Sequence, residues 1–185
     1  DLHPRVRRQR QMCIRDRPVV INSGSGNQGL TVSVPLIIYA EREHLDKEKL
    51  YRALVISNLT AIHLKTEIGR LSAFCGAVSA GAACGAGLAY LKDASEEVMN
   101  HTIVNALAIT SGIICDGAKA SCAAKIAVSV EAGILGYDMY MNGQQFYGGD
   151  GIISKGIENT IHNIGVLGSQ GMASTDQEII KIMCE

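Results

Sequence analysis

Three of the six cysteines, Cys75, Cys115 and Cys122, stand in motifs that are otherwise rich in Gly, Ala and Ser. Cys115 and Cys122 are seven residues apart, and Cys75 precedes Cys115 by 40 residues. The chain has no CxxC pair, the usual pattern of a zinc ribbon or a ferredoxin. Three cysteines at separate helix ends can instead hold three irons of a cubane and leave the fourth open as a Lewis acid. The opposing interpretation is a set of small core residues, because free cysteine is often buried.

The remaining cysteines carry less information. Cys84 lies in AACGAG, in the middle of a predicted helix, and is interpreted as a core residue. Cys184 stands next to the last residue and indicates nothing. Because no export signal is recognisable, we expect a reducing, cytoplasmic compartment, where cysteines serve metals or chemistry more often than disulfides. A structural zinc protein, which would bind zinc without visible absorbance, stays open as a further alternative.

A Gly-rich loop, SGSGNQG, occupies Ser23–Gly29. Its backbone amides can approach an anion, and its Ser and Asn side chains offer further contacts, so a carboxylate is the natural guest. The loop resembles a GxGxxG dinucleotide motif only superficially, because no βαβ unit follows and no acidic ribose partner is in place. An ordinary Gly-rich turn is the alternative interpretation.

Helices must position these residues, and the predicted fold class is mainly α, a compact multi-helix domain with Ala/Gly-rich central helices. A short strand or extended segment, VVIN, precedes the loop, and Thr31 or Ser33 is predicted to cap the first helix. Within Leu45–Leu64, apolar residues recur mostly at three- and four-residue steps, which predicts a helix with Asp46 as its cap. The further predicted helices are Ser72–Leu91, Glu96–Ile114 after the cap Ser95, Ala118–Leu135 before the stop Gly136, Ile152–Ile164, and Thr175–Met183 with Ser174 or Thr175 as its cap. Because Ser72–Leu91 consists almost wholly of small residues, only burial at the centre of the fold can stabilise it as a helix.

Composition and charge limit the classes of protein. Aromatic residues make up 4% of the chain, which disfavours an aromatic-rich β-sandwich. No apolar run reaches the roughly 18 residues of a membrane span, so no membrane partner is expected. Residues 1–17 hold six Arg against two Asp, which leaves 11 basic and 16 acidic residues in the remainder, a net charge of −5.

The string RVRRQRQMCIRDR resembles translated adapter sequence, so residues 1–17 are interpreted as a non-native segment and residues 18–185 as the domain. A basic nucleic-acid-binding arm is the alternative. It is disfavoured because such arms normally carry Lys, Gly or Ser rather than a lone Cys among Arg. No nucleic-acid partner is therefore expected.

Four blocks across residues 18–185 carry a resemblance to one family, in order and with compatible spacing. They are SGSGNQG, FCGAVSAGAACGAG, ICDGAKASCAAK and GVLGSQGMASTDQEIIKIM. They are similar to the carboxy-terminal part of the L-cysteine desulfidase family, whose domain resembles the α-subunit domain of iron–sulfur L-serine dehydratases. The resemblance implies a 4Fe-4S cluster on the matching cysteines, Cys75, Cys115 and Cys122.

The resemblance also implies that the Gly-rich loop binds the substrate, with Ser23, Ser25 and Asn27 as its contacts. Asp116 and Lys119 lie between two of the implied ligands, where hydrogen bonds or charge would tune the cluster. A helix cap or a solvated residue is the equal alternative for both.

The implied activity is a lyase that converts L-cysteine or L-serine by β-elimination to pyruvate, ammonia and sulfide or water, with a small amino acid as the partner. A complete family member has a further amino-terminal region with a cysteine and polar residues, and nothing here matches it; Cys13 is not assigned that role. The chain is thus interpreted as an incomplete domain with its catalytic base elsewhere. A non-catalytic helical domain that mediates homo-oligomerisation, with core cysteines, is the alternative function.

Other polar residues receive no catalytic role from the sequence. His63, His101 and His162 stand on predicted helices without a distinguishing motif. Lys125 suggests a pyridoxal phosphate Schiff base only weakly, because no phosphate-binding motif accompanies it.

Overall fold

The computed structural model describes residues 19–69 and 72–185, so the segment interpreted as non-native lies outside the described residues. The helices are α1 (Gly26–Arg42), α2 (Lys47–Ile68), α3 (Gly76–Leu91), α4 (Glu96–Thr110), α5 (Cys122–Met141), α6 (Ile157–Val166) and α7 (Ala173–Cys184), with a π-helical segment at Leu167–Gly171. The described residues contain no β-strand, so of the two predictions for VVIN the strand is wrong, because Asn22 and Ser25 form only an isolated bridge. The predicted mainly α fold is confirmed.

Helix α3 lies at the centre and packs against α1, α2, α4 and α5. Nearly all of its residues are buried. A Cβ atom added at Gly85 would lie 2.9 Å from the Cα atom of Gly133 on α5, so the two backbones meet without intervening side chains. This packing offsets the poor helix propensity of glycine, and the predicted central small-residue helix is confirmed.

The first helix begins earlier than predicted. Its cap is Ser25, whose Oγ accepts the N–H of Gln28 at 3.1 Å, and Thr31 and Ser33 lie inside the helix. The side-chain hydrogen bond satisfies one of the amide groups that a helix start leaves unpaired, which is why the helix can begin directly in the loop. The predicted caps Asp46 and Ser95 are confirmed.

The helices on either side of Cys115 are shifted relative to their predicted bounds. Helix α4 ends four residues before Ile114, and α5 begins four residues after Ala118. Gly136, predicted to end a helix, lies inside α5, where a Cβ atom would stand 2.8 Å from the carbonyl oxygen of Thr102 on α4. Close helix packing, rather than helix termination, accounts for this glycine.

The segment between α4 and α5 crosses beside the residues that precede α3. The N–H of Cys75 donates to the carbonyl oxygen of Ile113 at 3.1 Å, and the N–H of Cys115 donates to that of Ala73 at 2.6 Å. Because the backbone groups at this crossing form their hydrogen bonds with a neighbouring segment and not within a helix, the segment stays extended. The crossing brings Cys115 next to Cys75.

The two predicted carboxy-terminal helices exist, but the π-helical segment and one further residue link them. The hydroxyl of Ser72 donates to the carbonyl oxygen of Gly168, which attaches this segment to the start of the α3 region. Ser174 and Thr175, the predicted caps of the last helix, lie within α7, and no side chain caps it. None of the described helices has both the length and the apolar content that a membrane span requires.

Candidate functional site

A cavity of about 220 Å³ opens at the amino-terminal ends of α1, α3 and α5. The six residues predicted from the sequence as ligands or substrate contacts all line it: Ser23, Ser25, Asn27, Cys75, Cys115 and Cys122. Helix amino termini carry unpaired N–H groups and the positive end of the helix dipole. Their meeting at one cavity makes it a favourable environment for anions, thiolates included.

The thiols of Cys75 and Cys115 lie side by side, and a hydrogen-bond interaction between them shifts the pKa of both. This interaction and burial raise the pKa of Cys75. The same interaction lowers the pKa of Cys115 to about 6 against the opposing effect of burial, with help from the backbone of Gly117 and the charge of Lys125. Cys115 is therefore the thiol of the pair that forms the thiolate, the reactive form of cysteine.

Backbone groups act on all three cavity sulfurs. The N–H of Lys119 donates to the Cys122 sulfur at 3.4 Å. The backbone groups of Ala77 and Gly117 favour the thiolate forms of Cys75 and Cys115 and so act to lower the pKa of each. Such N–H···S contacts stabilise thiolates and tune iron–sulfur clusters. Lys119 thus contributes its backbone here, while the residue as a whole is exposed.

Two lysines that the sequence analysis did not assign to this site also line the cavity. Lys125 Nζ donates to Asp116 Oδ1 at 2.5 Å and to the carbonyl oxygen of Ile114 at 2.9 Å, and the first of these bonds lowers the pKa of Asp116. Lys65 is only 7% exposed, and burial lowers the pKa of its ammonium group. Lys125 stands three residues after Cys122, about one helical turn further on, and this spacing could have placed it at the site from the sequence. Lys65 stands in no motif, so no sequence signal indicated its position.

The Gly-rich loop presents polar atoms without partners. Ser23 has a φ of 49°, in the left-handed region that few non-Gly residues adopt. The amide nitrogen of Gln28 donates to the backbone oxygen of Ser23 and to Ser25 Oγ, both at 3.3 Å. Ser23 Oγ and Gln28 Oε1 are buried and have no hydrogen-bond partner within the described ranges. Buried groups of this kind are the exception in folded proteins and call for a ligand or a water molecule.

The other candidate residues lie elsewhere. Cys84 is 0% exposed in the middle of α3, where burial raises its pKa to about 12, so its interpretation as a core residue is confirmed. Cys184 is exposed on α7. His63, His101 and His162 are not among the cavity-lining residues.

Zinc and an iron–sulfur cluster differ in the donor geometry that they require. Across residues 19–69 and 72–185, no three His, Cys, Asp or Glu side chains lie close enough to hold one metal ion. In a cubane each cysteine binds a different iron, so the sulfurs stand farther apart than the ligands of a single ion. The three cysteines that line the cavity would serve such a cluster as thiolate ligands, one on each of three irons.

Comparison with known proteins places the chain among relatives that are longer than it is. The family model of the serine dehydratase alpha chain matches residues 10–181. A UPF0597 protein of Desulfitobacterium hafniense is 66% identical over 166 residues, which cover 90% of this chain and 39% of that protein. UPF0597 proteins of Treponema denticola and Finegoldia magna are 54% and 52% identical over 94% and 91% of this chain, and 40% of each relative is covered. The chain thus spans about two fifths of the length of these relatives. No solved structure matches it.

Proposed function

The chain belongs to the serine dehydratase alpha chain family, and from this premise we propose that it forms the iron–sulfur part of a lyase that acts on L-cysteine or L-serine. The net reaction converts L-cysteine and water to pyruvate, ammonia and hydrogen sulfide, or L-serine to pyruvate and ammonia. L-cysteine is the preferred substrate in this proposal, because the sequence blocks resemble the desulfidase group more than the dehydratases.

One observation carries the proposal: Cys75, Cys115 and Cys122 come from three separate segments and line a single cavity. Cys75, Cys115 and Cys122 would hold a 4Fe-4S cluster, whose fourth iron would act as a Lewis acid and make the β-thiol or β-hydroxyl group a better leaving group. The N–H of Lys119, which donates to the Cys122 sulfur, supports this assignment, since such a donor offsets the negative charge that a thiolate ligand brings.

The remaining residues of the cavity hold the ligands and the substrate in place. The ion pair of Asp116 with Lys125 fixes the start of α5 against the crossing segment that carries Cys115. We assign Asp116 and the backbone of Lys119 to orienting the cysteines. The loop residues Ser23, Ser25 and Asn27 are proposed as contacts of the substrate: their hydroxyl and amide groups stand where the amino end of α1 favours a carboxylate.

The test of the cluster is anaerobic reconstitution of the 185-residue chain with iron and sulfide. We expect about four irons and four sulfides per chain and a visible thiolate-to-iron absorption band. Alanine substitution of Cys75, Cys115 or Cys122 should remove them. Cys84→Ala is the matched control, because it deletes a cysteine of the same central helix and should leave the iron content unchanged.

Two results would contradict the proposal. A wild-type chain that takes up no iron would remove the cluster, and equal iron in all four alanine variants would show binding unrelated to the cavity. In the loaded protein, pyruvate formation is then compared for L-cysteine and L-serine. Pyruvate from neither substrate would exclude the lyase activity for this chain.

A second candidate is a non-catalytic helical domain that mediates oligomerisation, and one observation favours it. Four apolar side chains at three- and four-residue spacing are 46–60% exposed along one face of α2: Tyr51, Val55, Leu59 and Ile62. An exposed apolar stripe of this kind is typical of an association surface. Light scattering of the wild type and of Leu59→Glu, with and without iron, separates the two candidate functions. The oligomerisation domain requires an oligomer that is lost in Leu59→Glu and a chain that takes up no cluster.

A further inference from the structure

Lys65 brings a buried positive charge to the cavity without a carboxylate to balance it. The residue lines the cavity, and within residues 19–69 and 72–185 its ammonium group forms no salt bridge. Only the neighbouring thiol pair, Cys115 above all, acts electrostatically in its favour. A buried charge without a full partner is costly, so its presence in a cleft indicates a ligand of opposite charge.

The second cavity lysine shows the contrast. Lys125 donates to the carboxylate of Asp116 and to the backbone oxygen of Ile114, so its ammonium group is already paired by the protein itself. Of the two lysines that line this cavity among the described residues, Lys65 is therefore the one free to bind an anion that enters.

Gln28 provides the complementary group. It is 3% exposed, lines the cavity, and uses its amide nitrogen to donate to the loop residues Ser23 and Ser25. Its Oε1 atom has no donor in the part of the chain that the structure describes. The side chain lies against the start of α3, since a Cβ atom added at Gly76 would be 2.6 Å from Gln28 Nε2. The amide is thus held in one orientation, with a buried acceptor that only an additional donor can satisfy.

We propose that Lys65 binds the α-carboxylate of the substrate and that Gln28 Oε1 accepts a hydrogen bond from its α-ammonium group. The inference rests on the proposed function, which supplies a substrate of this class. An α-amino acid carries an anion and a cation on one carbon atom, and the cavity offers an unpaired cation and an unpaired acceptor. Its volume of about 220 Å³ is below the range of roughly 300–1,000 Å³ typical of sites for drug-sized ligands, as a small amino acid requires.

Calorimetry measures the binding of three ligands to the wild type and to two variants. L-serine carries both charged groups, 3-hydroxypropionate lacks the ammonium group, and ethanolamine lacks the carboxylate. Lys65→Met should weaken L-serine and 3-hydroxypropionate about tenfold or more and leave ethanolamine unchanged. Gln28→Met should weaken L-serine and ethanolamine by a similar factor and leave 3-hydroxypropionate unchanged.

Conservative and matched variants protect the interpretation from a folding defect. Lys65→Arg keeps the cation and should retain selectivity. Lys49→Met, which removes a lysine that pairs with Asp93 away from the cavity, should leave the binding of all three ligands unchanged. Equal losses for all three ligands in Lys65→Met and Gln28→Met, or a wild type that binds L-serine no better than either analogue, would overturn the proposal.

The measurement is made on the chain with and without reconstituted iron and sulfide. Because it reads binding and not turnover, failed iron uptake contradicts the proposed function, whereas failed ligand selectivity contradicts the roles of Lys65 and Gln28.

Discussion

Cys75, the residue that caps the start of the central helix α3, and Cys84, in its middle, occupy opposite environments although both are buried. Cys75, at the amino-terminal end, is 6% exposed, faces the sulfur of Cys115 and lines the cavity. Cys84, in the middle, is 0% exposed, and desolvation alone determines its shift in pKa. Burial therefore does not separate a ligand candidate from a core residue. What separates them is the presence of unpaired helix N–H groups, a second thiol and open space.

The two halves of α3 also use their small residues differently. Near the middle, Gly85 allows the backbone of α5 to approach, and a Cβ atom there would meet that backbone at 2.9 Å. At the start, Gly76 makes room for the amide side chain of Gln28 instead. The same composition thus supports close backbone packing in one half and a polar cavity lining in the other.

The largest expected difference between the halves is in thiol reactivity. With no metal bound, Cys115 should react with iodoacetamide at pH 7, because a pKa of about 6 leaves it mostly thiolate. Cys84, fully buried with a pKa of about 12, should stay unmodified until the chain unfolds. Below pH 6 the Cys115 thiolate fraction, and with it the labelling rate, should fall about tenfold per pH unit. Mass spectrometry of the labelled peptides measures both rates.

The origin of this reactivity can be tested at the partner thiol. Cys75→Ala removes the hydrogen bond that chiefly lowers the pKa of Cys115, so Cys115 labelling at pH 7 should slow and its midpoint should move to higher pH. An unchanged midpoint would show that the helix ends and Lys125, and not the thiol pair, activate Cys115.

A smaller effect is expected from adding one methyl group in each half of the helix. Gly85→Ala should lower the free energy of unfolding by about 2 kcal/mol, because the Cβ atom meets the backbone of Gly133, and the gain in helix propensity is smaller. Gly76→Ala meets a side chain, that of Gln28, rather than backbone and should cost less, about 1 kcal/mol. Urea denaturation measures both values, and equal losses would contradict the comparison.

The smallest expected effect is a gain in stability at the site. Lys65→Met removes a desolvated charge from a largely buried position while keeping the length of the side chain, so the free energy of unfolding should rise by about 1 kcal/mol. The loss of ligand binding predicted for this variant should accompany the gain. A destabilised Lys65→Met would instead mean that the neighbouring thiolate already balances the charge of Lys65 in the free protein.

Local patterns were sufficient for part of this structure. Small-residue composition predicted the central helix, apolar spacing predicted α2, and the caps Asp46 and Ser95 lie where their side-chain chemistry indicated. These features depend on neighbours within one helical turn, which the sequence displays directly. The role of Gly136 could not be inferred in this way, because the backbone of α4 that it contacts is distant in the chain.

The sequence by itself determined the types of candidate ligands and the loop that faces them, since Cys75, Cys115 and Cys122 and the Gly-rich segment stand in recognisable motifs. Only the tertiary structure decided that they share one cavity, that Cys115 pairs with Cys75, and that Lys65 and Gln28 face the same space. The physical reason is that pairing, desolvation and an unsatisfied acceptor are properties of atoms brought together from different helices, and no single segment contains them.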